Sequence, residues 1–165
     1  MTIAASGTLV ASNSGAFTIA GNFTNNGTFT HSSGTVTFDT TGTSTIAGAT
    51  TFNNFTSTTA GKTLQFQIPS AGAPVFTIAG AFTIAGADGN LINLYSDTSG
   101  TQWLPHFNAD QIFSVTYANV RDGGCDTGTS NAILDSTSTN VSNNDLCWVF
   151  GGHRPSGTSG YPAIY

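Results

Sequence analysis

Glycine recurs through the first third of the chain at a spacing too short for most folds. Gly15, Gly21, Gly27, Gly34, Gly42 and Gly48 stand 6, 6, 7, 8 and 6 residues apart. Between them run short alternations of Thr with an apolar residue: Phe17-Thr-Ile19, Thr28-Phe-Thr30, Thr35-Val-Thr-Phe38 and Thr50-Thr-Phe52. Alternation sends successive side chains to opposite faces of a strand, and glycine supplies the backbone freedom of a corner. Strands of a hairpin meander recur every roughly 8 to 12 residues, whereas these units leave about three or four residues per strand. That length suits one side of a coil whose strands pair with the turns above and below.

Three units close such a coil. Gly15 to Gly34, Gly21 to Gly42 and Gly27 to Gly48 span 19, 21 and 21 residues, and repeats of this period signal solenoids. The expected fold is all-β: a parallel β-helix, built as a three-sided β-solenoid of about 20 residues per coil. Residues one coil apart then stack, placing Phe17 against Val36 and Phe29 near Phe52. The alternative is a β-sandwich completed by a strand donated from a neighbour.

Composition narrows the function classes. Of the 165 residues only 7% are charged, Glu is absent, and the cationic side chains are Lys62, Arg121 and Arg154. No surface able to neutralise many phosphates can be assembled from them, so nucleic acid is not an expected partner. Twelve Phe and a hydrophobic fraction of 38% supply too much burial for a disordered chain. No apolar run approaches the length of a membrane span. Met1 to Ala5 lacks the cationic start of a secretory leader, so an exported form would have lost its leader or be a piece of something larger.

Beyond Phe66 the same grammar continues. An opening strand is expected at Thr8–Ser12 and a clear one at Thr63–Ile68, with Leu64, Phe66 and Ile68 on one face. Phe76-Thr-Ile-Ala-Gly80 and Phe82-Thr-Ile-Ala-Gly86 are direct hexad repeats that echo Phe17-Thr-Ile-Ala-Gly21. The texture becomes aperiodic from Trp103. Ile112–Val120 reads as one strand with Phe113, Val115 and Tyr117 on one face, and Leu146–Phe150 as the last. Residues 1–150 are expected to form a single solenoid domain with a disulfide-bearing C-terminal part, followed by a Gly/Ser/Pro-rich tail at 151–165.

The cysteines, Cys125 and Cys147, lie 22 residues apart in that C-terminal part. In a chain this poor in charge and this rich in Thr and Asn, a disulfide formed in an extracellular compartment is the expectation. Four sequons, at Asn22, Asn26, Asn54 and Asn140, offer N-glycosylation sites in the same setting. A sequence so rich in Asn and Thr also generates sequons by chance.

Gly21-Asn-Phe-Thr-Asn-Asn-Gly-Thr-Phe29, Gly34-Thr-Val-Thr-Phe38, Thr50-Thr-Phe-Asn-Asn-Phe55, Val115-Thr-Tyr-Ala-Asn-Val-Arg-Asp122 and Asn143-Asn-Asp-Leu-Cys-Trp148 carry a resemblance. The chain resembles the right-handed parallel β-helix repeats of bacterial surface proteins, including filamentous-haemagglutinin-like and autotransporter adhesins. The likeness covers roughly residues 15–150, and its motifs are compositional. It implies a secreted or surface-displayed scaffold and brings no catalytic residues.

Residue patterns for chemistry are sparse. Some parallel β-helices cleave polysaccharides with paired carboxylates, and here only Asp122 and Asp126, beside Arg121, cluster. His31, His106 and His153 lack metal-ligand spacing, and Asp88, Asp97 and Asp122 do not form a calcium repeat. The expectation is therefore no enzyme activity and no cofactor. Thr-x-Thr steps suggest an ice-binding ladder, but at a constant coil length only Thr35 and Thr56 fall on one side, which favours ordinary solvent-facing Thr. Tyr95, Trp103 and Tyr117 are candidate sugar-stacking rings for an adhesin or carbohydrate-binding module, and each suits a core or cap equally well. An open solenoid exposes unpaired edges at its ends. The leading expectation is an extracellular or cell-surface structural protein whose copies join head to tail in a filament or layer, with surface glycans as further partners.

Overall fold

The computed structural model describes residues 1–68, 76–108, 112–126 and 132–152. Its strands come in successive sets of three. The first set is β1 (Thr2–Ile3), β2 (Thr8–Val10) and β3 (Ala16–Ile19). The second is β4 (Phe23–Asn25), β5 (Thr28–Thr30) and β6 (Thr35–Phe38), and the third β7 (Thr43–Ala47), β8 (Thr50–Phe52) and β9 (Asn54–Ser57). Next come β10 (Thr63–Phe66), β11 (Phe76–Ile78) and β12 (Ala81–Ala85), then β13 (Ile92–Ser96), β14 (Pro105–Phe107) and β15 (Ile112–Thr116). The remainder is less regular: β16 (Ala118–Arg121), β17 (Ala132–Ile133), β18 (Thr139–Ser142) and β19 (Trp148–Val149).

As far as β16 each strand pairs with the strand three places away, and beyond it β16 pairs with β18 and β17 with β19, two places away. Sheet I runs β1-β4-β7-β10-β13-β16-β18, and sheet III runs β3-β6-β9-β12-β15. Sheet II comprises β2-β5 and β8-β11-β14, while β17 pairs with β19. Every pair between these strands is parallel. The protein is therefore all-β with long parallel sheets, and its cyclic strand order is consistent with a β-solenoid.

Inward residues stack in columns. Phe17, Val36, Phe55, Phe82 and Phe113 are register partners down sheet III, and the rings of Phe55 lie 5.5 Å from both Phe52 and Phe82. Phe29 sits 5.7 Å from Phe52, so both stacking expectations hold. One continuous core joins these columns to Phe23, Ile46, Leu64, Phe66, Leu94 and Val120 of sheet I. Each such ring, wholly removed from water, contributes about 1.5–3 kcal/mol.

Corners account for the glycines and the buried amides. At Gly48 φ is +82°, and a Cβ there would overlap the Asn25 carbonyl. Asn25 itself is buried, donating from Nδ2 to Thr50 Oγ1 at 2.9 Å and accepting the Gly27 N–H at 3.1 Å. A side-chain amide thus replaces the backbone bonds lost where the chain turns between sheets I and II.

Coil length is not constant, and this corrects the reading of the threonines. Successive partners in sheet III lie 19 residues apart from Thr18 to Thr37 and from Thr37 to Thr56, then 27 to Thr83 and 31 to Ser114. Those five residues form one outward column. Thr35, by contrast, is the partner of Asn54. The extra residues fall mainly where the chain passes from sheet I to sheet II: two separate β4 from β5, nine separate β10 from β11, and eight separate β13 from β14.

Two further expectations are revised. The stretch Ile112–Val120 is two strands in two sheets, broken at Tyr117, whose φ is +50°. Val115 and Ala118 both remain in the core, because the corner resets the alternation. A first strand, β1, precedes the one expected at Thr8–Ser12. The tail from His153 onward lies outside the described residues.

Candidate functional site

Sheet I presents two outward columns. Thr63, Asn93, Asn119 and Thr139 are register partners in one, and Thr45, Gln65, Tyr95 and Arg121 in the other. Strand alternation sends Leu64, Leu94 and Val120 into the core and leaves these polar residues outside. The first column is internally bonded. Asn119 Nδ2 donates to Asn93 Oδ1 at 2.9 Å, and Asn93 Nδ2 donates to Thr63 Oγ1 at 3.0 Å.

Arg121 closes the second column. Its Cζ lies 4.1 Å from the Tyr95 ring centroid, so the guanidinium covers one face of that ring. Arg121 Nε also lies 3.3 Å from Asp122 Oδ2, although neither atom makes a hydrogen bond among the described residues. Asp122 is 1% exposed and its Oδ1 accepts Asn143 Nδ2 at 2.8 Å.

The proposed sugar-stacking rings are not brought together. Trp103 is 0% exposed, stacked on Phe66 at 4.0 Å, with its indole N–H donated to the Arg121 carbonyl at 3.1 Å. That burial removes it from the surface a ligand reaches. Tyr117 marks the corner between β15 and β16, and Tyr95 supports Arg121.

Asp122 and Asp126 take different partners. Asp126 Oδ2 lies 3.0 Å from His106 Nδ1, beside the loop that carries Cys125. Among the described residues no group of three or more His, Cys, Asp or Glu is placed to hold a metal ion.

The disulfide Cys125–Cys147 is formed. Asp145 anchors its loop by accepting the Cys125 N–H at 3.2 Å and Gln102 Nε2 at 2.9 Å. The bond fits an oxidising, secreted setting, and no described helix is long and apolar enough to cross a membrane.

The four sequons differ in their surroundings. Asn22, Asn26 and Asn140 are exposed. Asn54 is half-buried with both ends of its amide engaged, Nδ2 donating to Thr35 Oγ1 at 3.3 Å and Oδ1 accepting the Ala81 N–H at 2.9 Å.

Lys62 escaped the sequence reading. It is fully buried, and Nζ donates to the Thr40 carbonyl at 2.7 Å and to Ser44 Oγ at 2.9 Å. Burial pushes its amine below the ordinary value of 10.5, and the charge of Asp39 partly opposes that shift. A lone Lys after a glycine carries no signal of burial. Arg121 and the Asn pair were equally hidden, because their alignment depends on coils of unequal length.

Comparison with protein-family models, curated proteins and solved structures finds no match.

Proposed function

We propose that the chain is a three-sided parallel β-solenoid serving as a non-enzymatic, extracellular structural element, whose copies join end to end in a filament or surface layer. The observation that carries this reading is where the exposed apolar side chains lie. Among the described residues the large ones are Met1 and Val10 in the first set of strands, and Ile112, Val141 and Leu146 from β15 onward. The described residues of the intervening coils expose none. Leu9, Phe17 and Phe29 at the first end are only partly buried, and β1, β2 and β3 are edge strands of their sheets.

Unlike ends that each carry apolar surface can meet head to tail, and a contact of that kind does not close on itself. Free parallel edges add main-chain pairing to it. The resemblance to surface-protein repeats belongs to the same reading, as does cell-surface location. Negative-stain microscopy of the purified protein tests it. Filaments are expected, lost on Val10→Lys or Leu146→Lys and retained on Thr56→Lys in the middle of sheet III. Monodisperse particles, or filaments indifferent to both end substitutions, would overturn the proposal.

A second reading, a glycan-binding surface, is favoured by the two polar columns of sheet I. Their side chains are outward, neutral apart from Arg121, and held by a rigid strand framework.

A further inference from the structure

We infer that the outward face of sheet I between β10 and β16 binds a carboxylate-bearing saccharide, with Arg121 as the anion contact and Gln65, Asn93 and Asn119 as hydroxyl contacts. The inference rests on the glycan-binding reading and names the ligand class and the residues that read it.

The guanidinium is the group on this face with an unmet demand. Among the side-chain cations, Lys62 is buried and Arg154 lies outside the described residues. Arg121 is held flat on Tyr95 at 4.1 Å, its side chain is 30% exposed, and its terminal nitrogens have no protein partner among the described residues. A planar fork fixed in this way matches the two oxygens of a carboxylate. Asp122 lies on the buried side of Arg121, offsetting its charge while accepting from Asn143. A single saccharide carboxylate therefore fits better than a densely charged polyanion, which the overall charge of −5 would also repel.

The neighbouring amides supply the remaining recognition. Asn119 and Asn93 are oriented by the hydrogen-bonded run that ends on Thr63, so little side-chain entropy is lost when a ligand hydroxyl binds them. Gln65 has no partner for its amide among the described residues and lies one strand from Tyr95 in the same column. Strands about 4.8 Å apart, with outward positions about 7 Å apart along each, give three strands the footprint of about two pyranose rings. Tyr95 is a positioning residue: its ring holds Arg121.

Titration calorimetry with an aldobiouronic acid, a disaccharide that carries one carboxylate, and with its methyl ester tests the inference. The acid is expected to bind and the ester to bind at least about tenfold more weakly, since esterification removes the charge-assisted pair. Arg121→Gln is expected to lower affinity for the acid at least about tenfold, with Arg121→Lys intermediate because an ammonium lacks the fork. Gln65→Glu, on a side chain with no partner for its amide among the described residues, is expected to weaken both ligands through the lost hydroxyl contact and the acid several-fold more than the ester, because it adds a like charge, and it protects the test should Arg121→Gln disturb folding. Equal affinities for acid and ester, absence of binding to either, or indifference to both Arg121→Gln and Gln65→Glu would each overturn it. Filaments seen by microscopy without saccharide binding would sink this inference alone, and binding by a monodisperse protein would sink the self-assembly reading alone.

Discussion

At the scale of single residues, the conspicuous cost is Lys62. The fold disfavours its charged form, so its amine titrates below 10.5 when folded and near 10.5 when unfolded. The unfolded chain then binds more protons across that interval, and stability rises with pH there until the contribution is complete above 10.5. Lys62→Met keeps the aliphatic packing without the charge. It is expected to lie within about 1 kcal/mol of the parent near neutral pH, or above it, and to lose the alkaline rise. Urea denaturation at stepped alkaline pH checks this, and parallel curves for the two proteins would refute it. Two glycines separate backbone strain from collision. Gly42 has φ +84° with open space at its Cβ position, whereas Gly48 has φ +82° and the Asn25 carbonyl in the way. Gly42→Ala is expected to cost about 1 kcal/mol and Gly48→Ala about 3 kcal/mol or more, the excess being overlap with backbone. Equal losses in denaturant titrations would show that collision is absorbed by a shift of the corner.

Among elements, the loop between β16 and β19 depends on its crosslink. Reducing Cys125–Cys147, with its separation of 22 residues, is expected to lower stability by about 3 kcal/mol in the chain-entropy account. Hydrogen exchange should quicken in residues 134–152 and stay slow in β4 to β10, and uniform loss of protection would contradict a local role. The early coils were legible because they keep nearly one length, which let glycine spacing alone align Phe17 with Val36 and Phe29 with Phe52. The sheet I site was not legible for the opposite reason. Asn93 and Asn119 are 26 residues apart and Thr63 and Asn93 are 30 apart, so a fixed repeat of about 20 residues never lines them up. Tyr117 misled differently: in the sequence the alternation of Phe113 and Val115 runs on to it, whereas the corner at its left-handed backbone conformation resets the phase, so Ala118 and Val120 are the next inward residues. The cysteine pair needed only composition: two cysteines in a chain poor in charge and rich in Thr and Asn read as a disulfide, and that bond is formed.

For the whole molecule, parallel pairing runs along one axis from β1 to β18, so ordered assemblies built by end-to-end addition should inherit that direction. Aligned fibres are expected to give a reflection near 4.8 Å along the fibre axis, and a reflection across the axis would contradict the arrangement. The same construction separates what carries the framework from what decorates it. Between sheets I and II the chain spends two to four residues in the early coils and nine or eight in the later ones, while the strands on either side keep their register. A lineage bearing this architecture can lengthen one corner without renegotiating its core. An engineer has the same liberty: a foreign peptide grafted within the exposed residues 97–101, between β13 and β14, would be displayed on a scaffold that already accommodates a longer connection there, and a tandem array could carry a different graft at each level.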